Sequence, residues 1–401
     1  TLYALSHQNA PRYKIMALPM NGTRMAARVV VPPSDAVITD LASNAEALYY
    51  TAREGNAKRL WRLPYGAKQA IEVALPSTGQ IAFGGAGSTD VQAMQSSGLM
   101  ISLSTWISPT QFFVLDAKGK AVPAGMPRPS QIEGLNDLEA KEVLVKSHDG
   151  LMVPMSIISK KGLKMDGRNP VWLTAYASYG LTMEPGFSPA RMAWLEKGGV
   201  LAVANPRGSA VYGNDWHLAG KGLNKPNTWK DVFACAQYLI DQGWTAPAHL
   251  AFTGGSAGGM LAGRVLTERP DLFAAVVPRV GALDMLRMEF TGNGPNNITE
   301  FGSVTTPDGF KGLLEMSGTQ HVRAGVAYPA VLLTHGVNDP RVDVWNSSKM
   351  AALLLAATSS KKPVLLRLDY DAGHGIGSTR AQQIDEDADV YAFLWQQLSQ
   401  H

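Results

Sequence analysis

The stretch Leu250-Ala251-Phe252-Thr253-Gly254-Gly255-Ser256-Ala257-Gly258-Gly259-Met260 decides the reading of this chain. An apolar run suited to a buried strand leads into Gly-X-Ser-X-Gly. A helix-compatible run to Glu268 follows. Strand, glycine-flanked serine, helix is the order that exposes a serine hydroxyl on a sharp, strained turn. Gly254 and Gly258 leave room for the backbone to fold back on itself. In a chain with 40 glycines such a match carries little alone. Its weight comes from two later loops, His335-Gly336-Val337-Asn338-Asp339-Pro340-Arg341 and Asp371-Ala372-Gly373-His374-Gly375, which supply Asp339 and His374.

The surrounding pattern supports that reading. Runs at 171–176, 200–204, 250–253, 274–277, 330–334 and 364–368 read as strands, and runs at 229–241, 257–268, 344–357 and 381–397 as helices. Their alternation predicts a mainly parallel, doubly wound sheet covered on both faces, the α/β-hydrolase fold, whose triads run Ser, Asp, His along the chain. Such sheets place their sites at the carboxyl ends of the strands. Ser256, Asp339 and His374 each follow a strand closely, so all three emerge at one edge. Ahead of them, Glu142–Val145 and Met152–Ile158 flank Asp149-Gly150, a hairpin signal.

Residues 1–134 have another texture, with short β-like runs between turn residues. Leu2-Tyr3-Ala4-Leu5 leading to Arg12-Tyr13-Lys14-Ile15 is echoed by runs from Leu48 and Arg59 and again from Met100 and Gln111. That spacing suits β-propeller blades, and an ordinary antiparallel β-domain is the other reading. Polar residues with Pro127 and Pro129 read as a linker, so the domains are 1–134 and 135–401.

Bulk properties exclude several classes. The 401 residues suffice for two cores. The net charge is +3, without the basic cluster that tracks nucleic acid. No apolar run reaches membrane-helix length. One cysteine, Cys235, excludes an internal disulfide and a cysteine metal cage, and no cofactor or metal is implied. Thr1 at the start is compatible with a removed leader or with further sequence upstream. The compartment, cytoplasmic or periplasmic, stays open.

A serine hydroxyl needs a base to take its proton as it attacks a carbonyl, and histidine suits that task. The expected roles are Ser256 as nucleophile, His374 as general base and then acid, and Asp339 as the group orienting the imidazole. The N–H of Ala257, at the helix start, points where the oxyanion develops. Singly, Asp339 before Pro340 reads as a turn former and His374 as a loop residue. Their order and placement carry the joint reading.

From about Asn169 to His401 the chain resembles the prolyl oligopeptidase family of serine peptidases. The likeness includes Gly198–Gly208, Tyr212–His217, Asn224-Lys225, the serine turn, Arg269–Phe273 and the Asp and His loops. The hairpin spanning Glu142–Lys161 is similar to the family's entry into its hydrolase domain. The resemblance implies an N-terminal propeller that caps the site and admits short peptides. Family propellers are seven-bladed, whereas residues 1–134 hold about three blades. That leaves open absent upstream blades, a reduced cap, or self-association that completes it.

The resemblance further implies Tyr176 as second oxyanion donor, Arg341 as ligand of a substrate carbonyl, and Tyr179, Val342 and Ala282 as lining of the proline pocket. Asn297 stands where prolyl-specific members stack a Trp on the substrate. Ala257 replaces a frequent Asn, and Val211 a frequent Glu. A pocket without its aromatic loses ~1 kcal/mol or more of proline discrimination. The expected activity is cleavage of oligopeptides through an acyl-enzyme. A carboxylesterase on the same scaffold and a non-catalytic propeller binding module are the alternatives, with a small peptide or ester as partner.

Overall fold

The computed structural model describes residues 1–20, 26–84, 97–126, 132–375 and 378–399. Pro127 and Pro129 of the expected linker lie outside them. The chain divides into two units. One comprises 1–138 with 184–188 and 210–215, and the other comprises the rest.

Among the described residues of the first unit, strands fold into three small antiparallel sheets. They are β1 (Leu2–Ser6), β2 (Lys14–Leu18) and β3 (Arg28–Val31), then β4 (Val37–Ser43), β5 (Ala47–Glu54), β6 (Ala57–Pro64) and β7 (Ile71–Val73), then β8 (Gln80–Phe83), β9 (Leu99–Ser104), β10 (Gln111–Leu115) and β11 (Ala121–Pro123). The echoed runs are antiparallel neighbours in each, β1 with β2, β5 with β6, and β9 with β10. Side chains alternate faces along a strand. On β5, Ala47 and Tyr49 join a core with Ile101 and Phe113 of the third sheet. Leu48, Tyr50 and Ala52 point the other way, into a core with Ile15 and Val31 of the first. The middle sheet is therefore buried on both faces, as in face-to-face stacking of sheets.

The second unit holds an eight-stranded sheet of order β12-β13-β15-β14-β16-β17-β18-β19. Its strands are β12 (Leu138–Lys146), β13 (Met152–Lys160), β14 (Val171–Thr174), β15 (Val200–Ala204), β16 (Leu250–Gly255), β17 (Ala275–Arg279), β18 (Ala330–Gly336) and β19 (Val364–Asp369). From β15 to β19 every neighbouring pair is parallel, and β13 joins β15 antiparallel. Strands covered on both faces read as continuous apolar runs, which explains Val-Leu-Ala-Val-Ala in β15, every residue of it buried. The strand order reverses at β14, next to β16. This is the switch point where open parallel sheets leave a crevice.

The helices are α1 (Pro189–Leu195), α2 (Asn214–Leu218), α3 (Pro226–Asp241), α4 (Ala257–Glu268), α5 (Ile298–Phe301), α6 (Pro307–Met316), α7 (Trp345–Ala357) and α8 (Arg380–Leu398). The helix α4 is buried from Ala257 through Leu266. None of the helices among the described residues is long and apolar enough to cross a membrane.

One buried ion cluster ties the β12–β13 turn to the loop after β15. Arg207 forks onto Asp231 of α3, with Nε 2.9 Å from Oδ2 and Nη2 2.6 Å from Oδ1, and also reaches Asp149. Ser147 donates to Asp231 at 2.5 Å. Burial disfavours the Arg207 charge, but Asp231 and Asp149 more than offset this and raise its pKa. Removing one partner of such a group strands a buried charge. Asp231→Ala should cost about 3–5 kcal/mol of stability. A shift of the chemical denaturation midpoint at unchanged slope would read it, and an unshifted midpoint would contradict it.

Candidate active site

Ser256 follows the carboxyl end of β16 and immediately precedes α4. It has φ 57° and ψ −121°, a conformation unfavourable for a side chain and costing on the order of 1–3 kcal/mol. The turn is held by main-chain bonds. The Ser256 N–H donates to Arg279 O at 2.9 Å, and its carbonyl accepts from Gly259 and Ala282 at 2.9 and 3.1 Å. Gly254 is there for space, since a Cβ on it would lie 2.1 Å from the Gly258 carbonyl oxygen.

Asp339 comes just after β18 and His374 just after β19. The His374 loop can close on the β18 end because Gly336 has no Cβ, which would come within 2.3 Å of Gly373 O. The structure brings the three side chains into line. His374 Nε2 is 2.9 Å from Ser256 Oγ, and His374 Nδ1 is 2.6 Å from Asp339 Oδ2. With the carboxylate accepting at Nδ1, the imidazole carries its proton there and offers Nε2 as acceptor to the serine hydroxyl.

The Asp339 carboxylate is buried yet well supplied with donors. Its Oδ1 accepts the N–H groups of Arg341 and Val342 at 2.8 and 3.0 Å. A second, fully buried imidazole, His335, lies 3.4 Å from Oδ2 through Nε2, which also bonds Val342 O at 2.8 Å. Its Nδ1 bonds Ser347 Oγ of α7 at 2.7 Å. Burial pushes the Asp339 carboxyl up. The hydrogen bonds from His335, His374, Val342 and Arg341 outweigh that and hold it well below the usual carboxylate range. The sequence quoted His335 in the Asp loop without a role, because its link to Ser347 and Asp339 depends on how α7 packs.

The remaining candidates surround this line. The Ala257 N–H, first in α4, has no intrahelical acceptor available and sits at the positive end of the helix dipole. The Tyr176 hydroxyl is near enough to the Ser256 side chain to interact with it electrostatically, and burial raises its pKa. The Arg341 charge is close enough to act on that hydroxyl, and its side chain is exposed. Val342 and Ala282 are buried, and their main chains are engaged, Val342 with Asp339 and His335 and Ala282 with Ser256.

Tyr179 and Asn297 meet directly. The Tyr179 hydroxyl donates to Asn297 Oδ1 at 2.5 Å, and Asn297 Nδ2 donates to Asn293 O at 3.1 Å. Burial pushes the Tyr179 phenol up further, beyond the normal tyrosine range. The Tyr179 ring packs edge-on against Phe301 at 5.5 Å. The position expected to lack a stacking aromatic therefore holds a carboxamide already bonded to Tyr179, a candidate for the pocket.

Lys225, Glu300 and His217 went unassigned in the sequence. Lys225 Nζ, fully buried, donates to Ala177 O at 2.8 Å, Ser178 Oγ at 2.7 Å and Glu300 Oε1 at 3.2 Å. Glu300 Oε2 is 2.8 Å from His217 Nε2, so this histidine faces a carboxylate contributed from far along the chain.

An elbow serine, an imidazole and a buried carboxylate in line at the carboxyl edge of a parallel sheet are the arrangement of the α/β-hydrolase fold. Comparison with known proteins narrows the class. Residues 185–401 match the model of the prolyl oligopeptidase family, and the chain belongs to that family. It is 34% identical over 328 residues to a prolyl endopeptidase of Elizabethkingia miricola, covering 81% of this chain and 45% of that one. It is 29% identical over 411 residues to the prolyl endopeptidase of Dictyostelium discoideum, covering 98% and 53%. A solved prolyl endopeptidase superposes with a TM-score of 0.91 at 32% identity, over 99% of this chain and 58% of that one. The fold is accordingly an α/β-hydrolase domain with N-terminal β-propeller sheets. The chain spans about half the length of these relatives.

Proposed function

We propose that this chain is a serine peptidase of prolyl oligopeptidase type that cleaves oligopeptides through an acyl-enzyme. The observation that carries the reading is the line Ser256 Oγ, His374 Nε2, His374 Nδ1, Asp339 Oδ2, with separations of 2.9 and 2.6 Å at its two hydrogen bonds. Ser256 Oγ attacks the scissile carbonyl carbon as His374 Nε2 takes the hydroxyl proton. The carbonyl π electrons move to oxygen, and the Ala257 N–H and Tyr176 hydroxyl hydrogen-bond the oxyanion. Collapse breaks the C–N bond, with the amine leaving on the proton from His374. Water then adds to the ester by the same sequence, releasing the acid and restoring Ser256.

Arg341 is assigned to a substrate carbonyl, and Tyr179, Val342, Ala282 and Asn297 to the pocket for the residue before the cleaved bond. The polar Tyr179–Asn297 pair supports weak discrimination of proline, on the order of 1 kcal/mol less than an aromatic platform provides. We also read the small sheets within residues 1–134 as three blades of the propeller, supported by the stacking of the middle sheet between its neighbours.

The test is a fluorophosphonate probe followed by a peptide-library profile of the same preparation. Labelling at Ser256 with cleavage of short peptides is expected. Labelling with hydrolysis of short acyl nitrophenyl esters but of no peptide would reject the peptidase reading in favour of an esterase. Tyr176→Phe removes one oxyanion donor and should lower kcat by about 10²-fold with little change in KM. Unchanged kcat would remove Tyr176 from the oxyanion site.

A further inference from the structure

The residues that touch the reacting atoms do not explain why a lysine is buried behind them. Lys225, at the start of α3, is wholly inaccessible. A charge in such a place costs more than an apolar side chain of the same size unless it is fully paired. Lys225 is fully paired. Its three N–H bonds go to the Ala177 carbonyl, the Ser178 hydroxyl and the Glu300 carboxylate. Burial lowers its pKa to about 8, against the pull of Glu300.

Two of those three acceptors belong to the loop that leaves β14 with Tyr176. The third, Glu300 of α5, is held in turn by His217, whose Nε2 lies 2.8 Å from Glu300 Oε2. Lys225 thus grips two consecutive residues, 177 and 178, and Tyr179 follows them directly. Ala177 and Tyr179 sit at φ 54° and 58°, in the left-handed region that side chains disfavour. Left to itself this segment would relax toward ordinary backbone angles, and Tyr176 would move with it. The loop also lies against fixed backbone. Gly180 N–H donates to Gly208 O at 3.1 Å, and a Cβ on Gly208 would come within 2.3 Å of Ala177 O.

We propose that Lys225, braced by Glu300 and His217, is a positioning residue that holds the 177–179 loop strained so that the Tyr176 hydroxyl stays aimed at the oxyanion. The proposal rests on the reading of Tyr176 as an oxyanion donor. It makes the buried charge cluster part of the catalytic geometry without contact with substrate.

The experiment is a double-mutant cycle on the full chain, with kcat and KM measured on one nitrophenyl ester for the wild type, Lys225→Met, Tyr176→Phe and the double variant. An ester keeps the cycle readable even where peptide cleavage fails. Lys225→Met should lower kcat by roughly 10- to 100-fold, bounded above by the loss of one oxyanion donor, with KM within about threefold. In the Tyr176→Phe background the same substitution should change kcat by less than about threefold, because its effect runs through a hydroxyl already gone. A loss that multiplies undiminished in that background would overturn the proposal alone. A neutral Tyr176→Phe would sink the reading of Tyr176 and the proposal with it. Where Lys225→Met is not recovered folded, Glu300→Gln takes its place. It keeps the side-chain volume but offers one acceptor oxygen where Lys225 and His217 now meet two, and the same two outcomes decide.

Discussion

Replacing Ser256 by alanine should lower kcat by about 10⁴- to 10⁶-fold on peptides and esters alike. The size follows from what the substitution removes. In the proposed mechanism the hydroxyl is the atom acylated, and without it His374 can only assist a water held less well. The substitution leaves the scaffold standing. The main-chain bonds that fix the turn come from the Ser256 N–H and carbonyl, which alanine keeps, and its Cβ meets the same φ of 57° that serine already tolerates. Unfolding midpoints should match the wild type, and fluorophosphonate labelling should vanish. Residual turnover over water is expected from the oxyanion donors alone. Turnover near the wild-type level in a preparation free of contaminating hydrolase would refute the assignment of the nucleophile.

Asp339→Asn should cost about 10⁴-fold in kcat, for a reason readable from the donors around the carboxylate. The N–H groups of Arg341 and Val342 both point at Oδ1. A carboxamide has one acceptor oxygen, and these two donors draw it to that side. The amide nitrogen then faces His374 Nδ1 and donates to it. The imidazole must carry its proton on Nε2 instead, pointing at the serine it should deprotonate. Binding of uncleaved peptide should be nearly unchanged, so the loss appears in kcat.

The same substitution has a stability signature. The native carboxyl is held below its ordinary pKa, so its contribution is fully present above the unfolded pKa and is lost as pH falls toward the folded one. Asp339→Asn should flatten the acid side of the melting temperature against pH. An unaltered acid limb would contradict the account of the carboxylate's surroundings.

What could be read before folding was whatever is encoded by neighbours in the chain. The serine turn, both later loops and the parallel strands are local patterns, and β16 runs only two residues beyond its expected end, to Gly255, where it pairs with Arg279 of β17. The sequence pattern predicts α3 from Trp229, whereas the helix begins at Pro226, since proline at the first position suits the helix and wants no acceptor. The helix α6, beginning Pro-Asp-Gly, went unread because its glycines weaken the helical signal, although Thr306 caps it by accepting from Gly309 N–H. The supports of the site were harder still. Lys225 finds Glu300 and Ser178, and His335 finds Ser347, only after sheet and helices bring distant segments together. No spacing rule announces such pairs.

The grip on Asp339 through peptide N–H groups has a corollary. Because the acid is oriented by the N–H groups of positions 341 and 342, the exposed side chain at 341 can be exchanged while both of those bonds remain. If the proposed role of Arg341 holds, saturation mutagenesis at that one exposed position should alter substrate preference while the hold on the acid is kept.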